Sequence, residues 1–137
     1  KSLNDHYLEF ENKTEFVAEK LKDGLLSGEI YKVKLENGRL PLNTKLFDND
    51  ALVFKSTQIE KIALCSSSGT KLFIHCRNWP YFGIWSKKGS DAFVCLEPWY
   101  GIADSVNASG KLENKEGILN LKPYTTYEAE FSLEVIG

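Results

Sequence analysis

An all-β fold, an antiparallel β-sandwich, is what this 137-residue sequence predicts. Three observations carry that reading. Short apolar stretches recur between turn-forming residues, hardly any window shows the apolar repeat of a helix, and the C-terminal segment alternates apolar with mostly acidic side chains. Eight or so short strands with glycine-rich turns between them pack as two sheets. Hydrophobic residues make up 42% and aromatics 12%, enough apolar surface for one folded core and not the composition of a disordered chain.

In order along the chain, Tyr7-Leu8-Glu9-Phe10-Glu11 alternates and reads as a first strand. Thr14 to Leu21 fits either a second strand or a helical turn, and Lys22 to Gly28 reads as a loop. Glu29 to Leu35 is a further strand closed by Asn37-Gly38, the strongest short hairpin signal, and Leu40 to Leu42 resumes after it. In Leu46-Phe47-Asp48-Asn49-Asp50-Ala51-Leu52-Val53-Phe54, three turn formers separate two apolar pieces, the pattern of a tight turn. Lys61 to Leu64 and Leu72 to Cys76 are strands joined by Ser66-Ser67-Ser68-Gly69, and Trp79-Pro80-Tyr81-Phe82-Gly83-Ile84-Trp85 is the densest aromatic segment. After Asp104 the chain is polar and aperiodic through Gly117, a long rim loop. In the last segment Tyr127, Ala129, Phe131, Leu133 and Val135 alternate with Glu128, Glu130, Ser132 and Glu134, which predicts a strand with one face on the core and one in water.

Charge and cysteine usage exclude several function classes. Seventeen basic against nineteen acidic residues give a net charge of −2, with no clustered basic face for nucleic acid or an acidic membrane surface. No apolar run approaches a membrane span. Cys65, Cys76 and Cys95 each lie in an apolar run at spacings that match no metal motif, so they read as three buried free thiols, with no metal and no cofactor. Their odd number and the lack of a secretory leader point to a cytoplasmic protein.

The stretch Phe93-Val94-Cys95-Leu96-Glu97-Pro98-Trp99-Tyr100-Gly101-Ile102-Ala103-Asp104 carries the most chemistry. Apolar residues run into Glu97, and Pro98 removes a backbone donor and favours an extended residue before it, which sets Glu97 at a strand end or rim. Trp99 and Tyr100 then place two ring faces beside the carboxylate, a surface suited to a polar, ringed ligand such as a sugar. For Tyr81 and Trp85 core packing is the simpler role, as a structural role is for Asp104.

Taken together, three segments, Leu46 to Phe54, Pro80 to Lys87 and Cys95 to Asp104, resemble in composition, order and spacing the aldose 1-epimerase (galactose mutarotase) family, in its LacX-like branch. The terminal alternating strand matches that family's closing strand. The resemblance implies that residues 1–137 are the C-terminal part of a single domain, a large β-sandwich of the galactose-mutarotase type. It implies an isomerase that interconverts the α and β anomers of a hexose or hexose phosphate, with no metal or cofactor. The glutamate that takes the proton from the anomeric hydroxyl corresponds to Glu97, and a sugar-gripping aspartate to Asp50, with Asp48 two positions away. Trp99 and Tyr100 would line the sugar site.

The sequence also departs from the family's pattern. The acid histidine, with the arginine and second histidine that help bind sugar, belongs to a half that would lie upstream of Lys1. His6 lies just before the first strand outside the family's motif, and His75 sits within an apolar strand. A missing N-terminal half or another chain is therefore expected to complete the sandwich, whose open strands would otherwise expose edges and core. The alternative to catalysis is a carbohydrate-binding or regulatory protein on the same fold.

Overall fold

The computed structural model describes residues 2–69 and 71–137. Its strands are β1 (His6–Glu9), β2 (Glu15–Lys22), β3 (Leu25–Lys34), β4 (Arg39–Pro41), β5 (Leu52–Phe54), β6 (Lys61–Ser66), β7 (Lys71–His75), β8 (Tyr81–Trp85), β9 (Cys95–Trp99) and β10 (Ser132–Ile136). They form two five-stranded sheets, β10-β7-β6-β1-β4 and β3-β2-β5-β8-β9, in which every paired neighbour is antiparallel. The antiparallel sandwich is as the sequence predicts. Among the described residues no helix is long and apolar enough to cross a membrane.

Alternation places the main core between the sheets. Leu8, Ile62 and Ile74 from the first sheet meet Phe16, Ala18, Leu52, Phe54, Phe82 and Ile84 from the second. Phe16 packs edge-on against Phe10 at 4.7 Å and against Phe54 at 5.5 Å between ring centroids, in the range where such pairs add to simple burial. The corner between the sheets is the Asn37-Gly38 turn. Both residues have positive φ, 52° and 76°, and Glu36 and Arg39 exchange backbone hydrogen bonds across it, the geometry of a type I′ hairpin.

One local expectation is corrected and one open alternative is decided. The segment Lys22 to Gly28 is not a loop: Asp23 and Gly24, at φ 53° and 78°, form a two-residue turn, and β3 already begins at Leu25. Of the ambiguous Thr14 to Leu21, the strand alternative holds: Glu15 to Leu21 lie in β2.

The closing segment also differs. Only Ser132–Ile136 is strand, and it is exposed along its whole length. Its pairing with β7 sets Leu133 against Ile74 and Val135 against Leu72, yet Leu133 is 59% and Val135 70% exposed. The alternation gives these side chains the inward face of the first sheet, and no part of the second sheet reaches over them.

On the outer face of the first sheet, charges pair across strands. Glu9 accepts from Lys71 Nζ at 2.6 Å and from Arg39 Nε at 3.2 Å. The Lys71 hydrogen bond, helped by Arg39 and opposed by partial burial, holds the Glu9 carboxyl below the usual carboxylate range. A depressed folded-state pKa stabilises the fold above the unfolded-state value and is lost as pH falls through the folded-state value. Glu9→Gln should therefore flatten the acid limb of a urea-stability profile while costing only about 0–1 kcal/mol at neutral pH; an unchanged acid limb would show that the pair contributes nothing.

Candidate functional site

The second sheet is partly buried on its outer face as well, and that face holds Glu97. Pairing aligns Glu19 with Val53, Val53 with Gly83, and Gly83 with Glu97, so the four form one row across β2, β5, β8 and β9. Tyr81 pairs with Trp99 on one side of this row and Trp85 with Cys95 on the other. Val53, Leu26, Ala51 and Ile102 make a second small core, against which Tyr81, Trp85 and Trp99 pack.

A returning loop roofs part of this face. After β9 the chain crosses back to β3, where Leu26 N donates to Asp104 O at 2.8 Å and Val106 N to Leu26 O at 2.9 Å. Ile102 is buried beneath the crossing. Between the loop and the sheet lies a cleft of about 380 Å³ walled by Leu21, Leu26, Val53, Trp99, Ile102 and Lys115, a size in the usual range for small-molecule sites.

Glu97 is half-buried, and its Oε2 accepts from the Trp99 indole Nε1 at 3.1 Å. Cys95, two residues back on the same face, is half-buried rather than buried, which corrects the expectation of three buried thiols; Cys65 and Cys76 are buried. Burial pushes the Cys95 thiol up, and the charge of Glu97 and a hydrogen bond to it add to the effect. Burial likewise pushes Cys76 up to about 11, the behaviour of an inert core thiol.

The cations near the cleft are already matched. Lys115 Nζ donates to Asp104 at 2.7 Å. Lys55 lies between Glu19 at 2.7 Å and Glu116 at 2.9 Å; burial works against its charge, but the two carboxylates outweigh this and leave its pKa raised. Glu19 also accepts from Gly28 N at 2.8 Å. Lys115 and Glu116, adjacent in sequence, are thus each committed to a residue on the sheet or its roof. Three strand spacings separate Glu19 from Glu97, about 14 Å, too far for two carboxylates to act on one bond.

Of the four residues singled out from the sequence, the structure brings Glu97 and Trp99 together and sets the other two apart. Asp50 is exposed at φ 77° just before β5, with its own carboxylate accepting from Ala51 N at 2.7 Å. Tyr100 turns from Trp99 into a ring cluster: it lies 4.5 Å from Trp79 and 5.4 Å from Tyr127, and Trp79 in turn meets Phe131 at 5.8 Å and donates to Glu130 O at 2.7 Å. That cluster ties the C-terminal segment to the sandwich. The sequence reading missed the buried Glu19 and the doubly paired Lys55; the signal available was a charge at an outward position of a strand whose neighbours are apolar. Among the described residues no group of three or more metal-ligating side chains is assembled.

Comparison with known proteins fits this geometry. No family model matches the chain. Protein LacX of Lactococcus lactis subsp. lactis, in its chromosomal form, is 28% identical over 115 residues, covering 82% of this chain and 38% of LacX, and the plasmid form matches equally. A galactose mutarotase related enzyme from Lactobacillus acidophilus superposes with a TM-score of 0.89 at 30% identity, over 100% of this chain and 47% of its own. A galactose mutarotase-like protein from Lactobacillus casei ATCC 334 shares the fold, with a TM-score of 0.72 at 21% identity, over 96% of this chain and 45% of its own. The chain is thus similar in sequence to LacX and has the fold of galactose mutarotase-related proteins, as the three segments imply, and it spans less than half the length of each.

The assignment of Tyr100 to the ring cluster has a direct consequence. Tyr100→Leu should remove about 0.5–1.5 kcal/mol per ring pair and raise hydrogen exchange and protease cleavage across residues 118–136, with the Trp99 indole undisturbed. A variant that instead disturbs Trp99 would return Tyr100 to the site.

Proposed function

We propose that this chain is the C-terminal part of a single β-sandwich domain that acts as an aldose 1-epimerase on a hexose or hexose phosphate, with Glu97 as general base. The observation that carries the proposal is a carboxylate on the outer sheet face fixed by the Trp99 indole, which itself walls an apolar cleft of ligand size. The likeness to LacX and to galactose mutarotase-related proteins supports the same reading.

The chemistry asks little of the protein. Glu97 takes the proton of the anomeric hydroxyl as the bond between the anomeric carbon and the ring oxygen breaks, and an acid protonates that oxygen. Rotation about the adjacent carbon–carbon bond and the reverse steps then give the other anomer. A positioned acid or base contributes about 10²- to 10⁴-fold. Within this chain Glu19 is too distant and already paired, so the acid belongs to the rest of the domain. Trp99 offers a ring face for the sugar's C–H surface, while Asp50 and Tyr100 keep only an outer or supporting role. Lys55 and Lys115 are neutralised by carboxylates, which favours an uncharged hexose over its phosphate at this side of the site. The three free cysteines accord with a cytoplasmic protein.

Polarimetry of freshly dissolved α-glucose, α-galactose and their 6-phosphates, with the longest version of the protein, tests this. Acceleration should fall about 10²- to 10⁴-fold in Glu97→Gln, which keeps shape and removes the base. If the intact protein binds these sugars without accelerating mutarotation, the carbohydrate-binding alternative replaces the enzyme.

The domain assignment has its own test. Leu133, Val135 and Ile136 are exposed along β10, and Leu119, Leu121 and Phe131 in the segment before it, an apolar surface of the kind that marks a missing partner. The 137-residue chain alone should self-associate and bind a hydrophobic dye, and an added upstream segment of the natural protein should suppress both. A soluble monomer of 137 residues that unfolds cooperatively would overturn the assignment.

A further inference from the structure

We infer that Gly83 is a positioning residue for Glu97: its missing side chain makes the seat in which the Trp99 indole lies, and the seated indole holds the carboxylate. The inference rests on the reading of Glu97 as base and adds a residue to it.

Gly83 lies in the middle of β8, is buried, and faces Glu97 across the β8–β9 pair. A glycine there has no local conformational reason. It is not among the positive-φ glycines, so any residue could take its backbone conformation, and a strand interior disfavours glycine for want of a side chain to pack. The reason is across the strand. A Cβ at Gly83 would stand 2.2 Å from Trp99 Cζ2, 2.3 Å from Cη2 and 3.0 Å from Cε2. All three atoms belong to the six-membered ring, which therefore rests directly on the Gly83 backbone.

From that seat the indole reaches back along β9, and its Nε1 donates to Glu97 Oε2 at 3.1 Å. Residues two apart on one strand share a face, so the ring lies above the space between Gly83 and Glu97. A side chain at position 83 would lift the ring, and the N–H would leave the carboxylate with it. Glu97 would then be free to change rotamer, and misplacement by about 1 Å can cost a catalyst about 100-fold.

Two readouts test this, one of them independent of activity. In ¹⁵N-labelled protein the Trp99 indole resonance, identified by its loss in Trp99→Phe, should move as Glu97 titrates and should stop moving in Glu97→Gln. Gly83→Ala should abolish that coupling and, in the longest version of the protein, lower kcat about tenfold or more with KM little changed. Because Gly83→Ala could also unfold the chain, it is paired with Gly83→Ala/Trp99→Phe. Removing the colliding ring should restore the melting temperature to that of Trp99→Phe alone, without restoring kcat. An indole resonance that still follows Glu97 in Gly83→Ala, or a double variant in which the alanine remains as damaging as in the single one, would overturn the inference. Absence of mutarotation in the unmutated protein would count against the enzyme reading, and the resonance would still decide the role of Gly83.

Discussion

Strand β8 is packed from both sides, and the arrangement of the site follows from that constraint. Phe82 and Ile84 face the main core, while Tyr81 and Trp85 face the smaller outer one. A strand in this position has no solvated face, so it reads as a continuous apolar run rather than an alternating one. Its partner β5 is buried at all three positions for the same reason. The outer core exists because the chain after Trp99 recrosses the sheet and hydrogen-bonds to β3 at Leu26. Without that crossing Val53 and Trp99 would face water, and the cleft would lose its roof.

The polar groups of this face are arranged to be consumed locally. Lys55 joins Glu19 on the sheet to Glu116 on the loop, and Lys115 joins the loop to Asp104. Partly exposed pairs of this kind contribute little stability one by one. Their effect here is geometric, since each ties a residue of the 104–117 excursion to the sheet or to the roof of the cleft. Gly117 shows how close the approach is: a Cβ there would stand 2.8 Å from the Tyr81 ring. Glu97 differs from these carboxylates, since an indole holds it and, among the described residues, no lysine pairs with it.

Local chemistry was legible in the sequence where it is decided locally. The Asn37-Gly38 turn, the strand character of Tyr81 to Trp85 and the placement of Glu97 in an extended segment next to Pro98 all follow from residue type and spacing. Asp23-Gly24, set between Leu21-Lys22 and Leu25-Leu26, carries the same turn signal as Asn37-Gly38, so this hairpin too is written in residue type. What periodicity could not give is what covers a face. The alternation of residues 127–135 marks the inward side of Leu133 and Val135, but burial depends on what packs over that side, and there both are exposed. Likewise Trp99 and Tyr100 are neighbours in sequence, but Trp99 ends β9 and Tyr100, just beyond it, turns into the ring cluster, so adjacency suggests a shared pocket where the chain separates them. Asp50 illustrates a third limit, because a turn aspartate can satisfy its own backbone, and does so here.

The proposed chemistry and the proposed completion of the sandwich meet at β9. β9 is one edge of its sheet, with β3 at the other, and β10 and β4 are the edges of the first sheet. An edge strand with unpaired backbone groups is a template for another strand. A strand added to the free side of β9 would lie about 4.8 Å from it, with alternate side chains on the same outer face as Glu97. A residue directly opposite Glu97 would then have its Cβ about 5 Å away, within reach of the ring oxygen of a sugar whose anomeric hydroxyl touches the carboxylate. Glu19, at about 14 Å, lies three strands away in the other direction and has no such reach. The sheet edge open to a further strand is therefore also the side from which the proposed reaction can receive its acid.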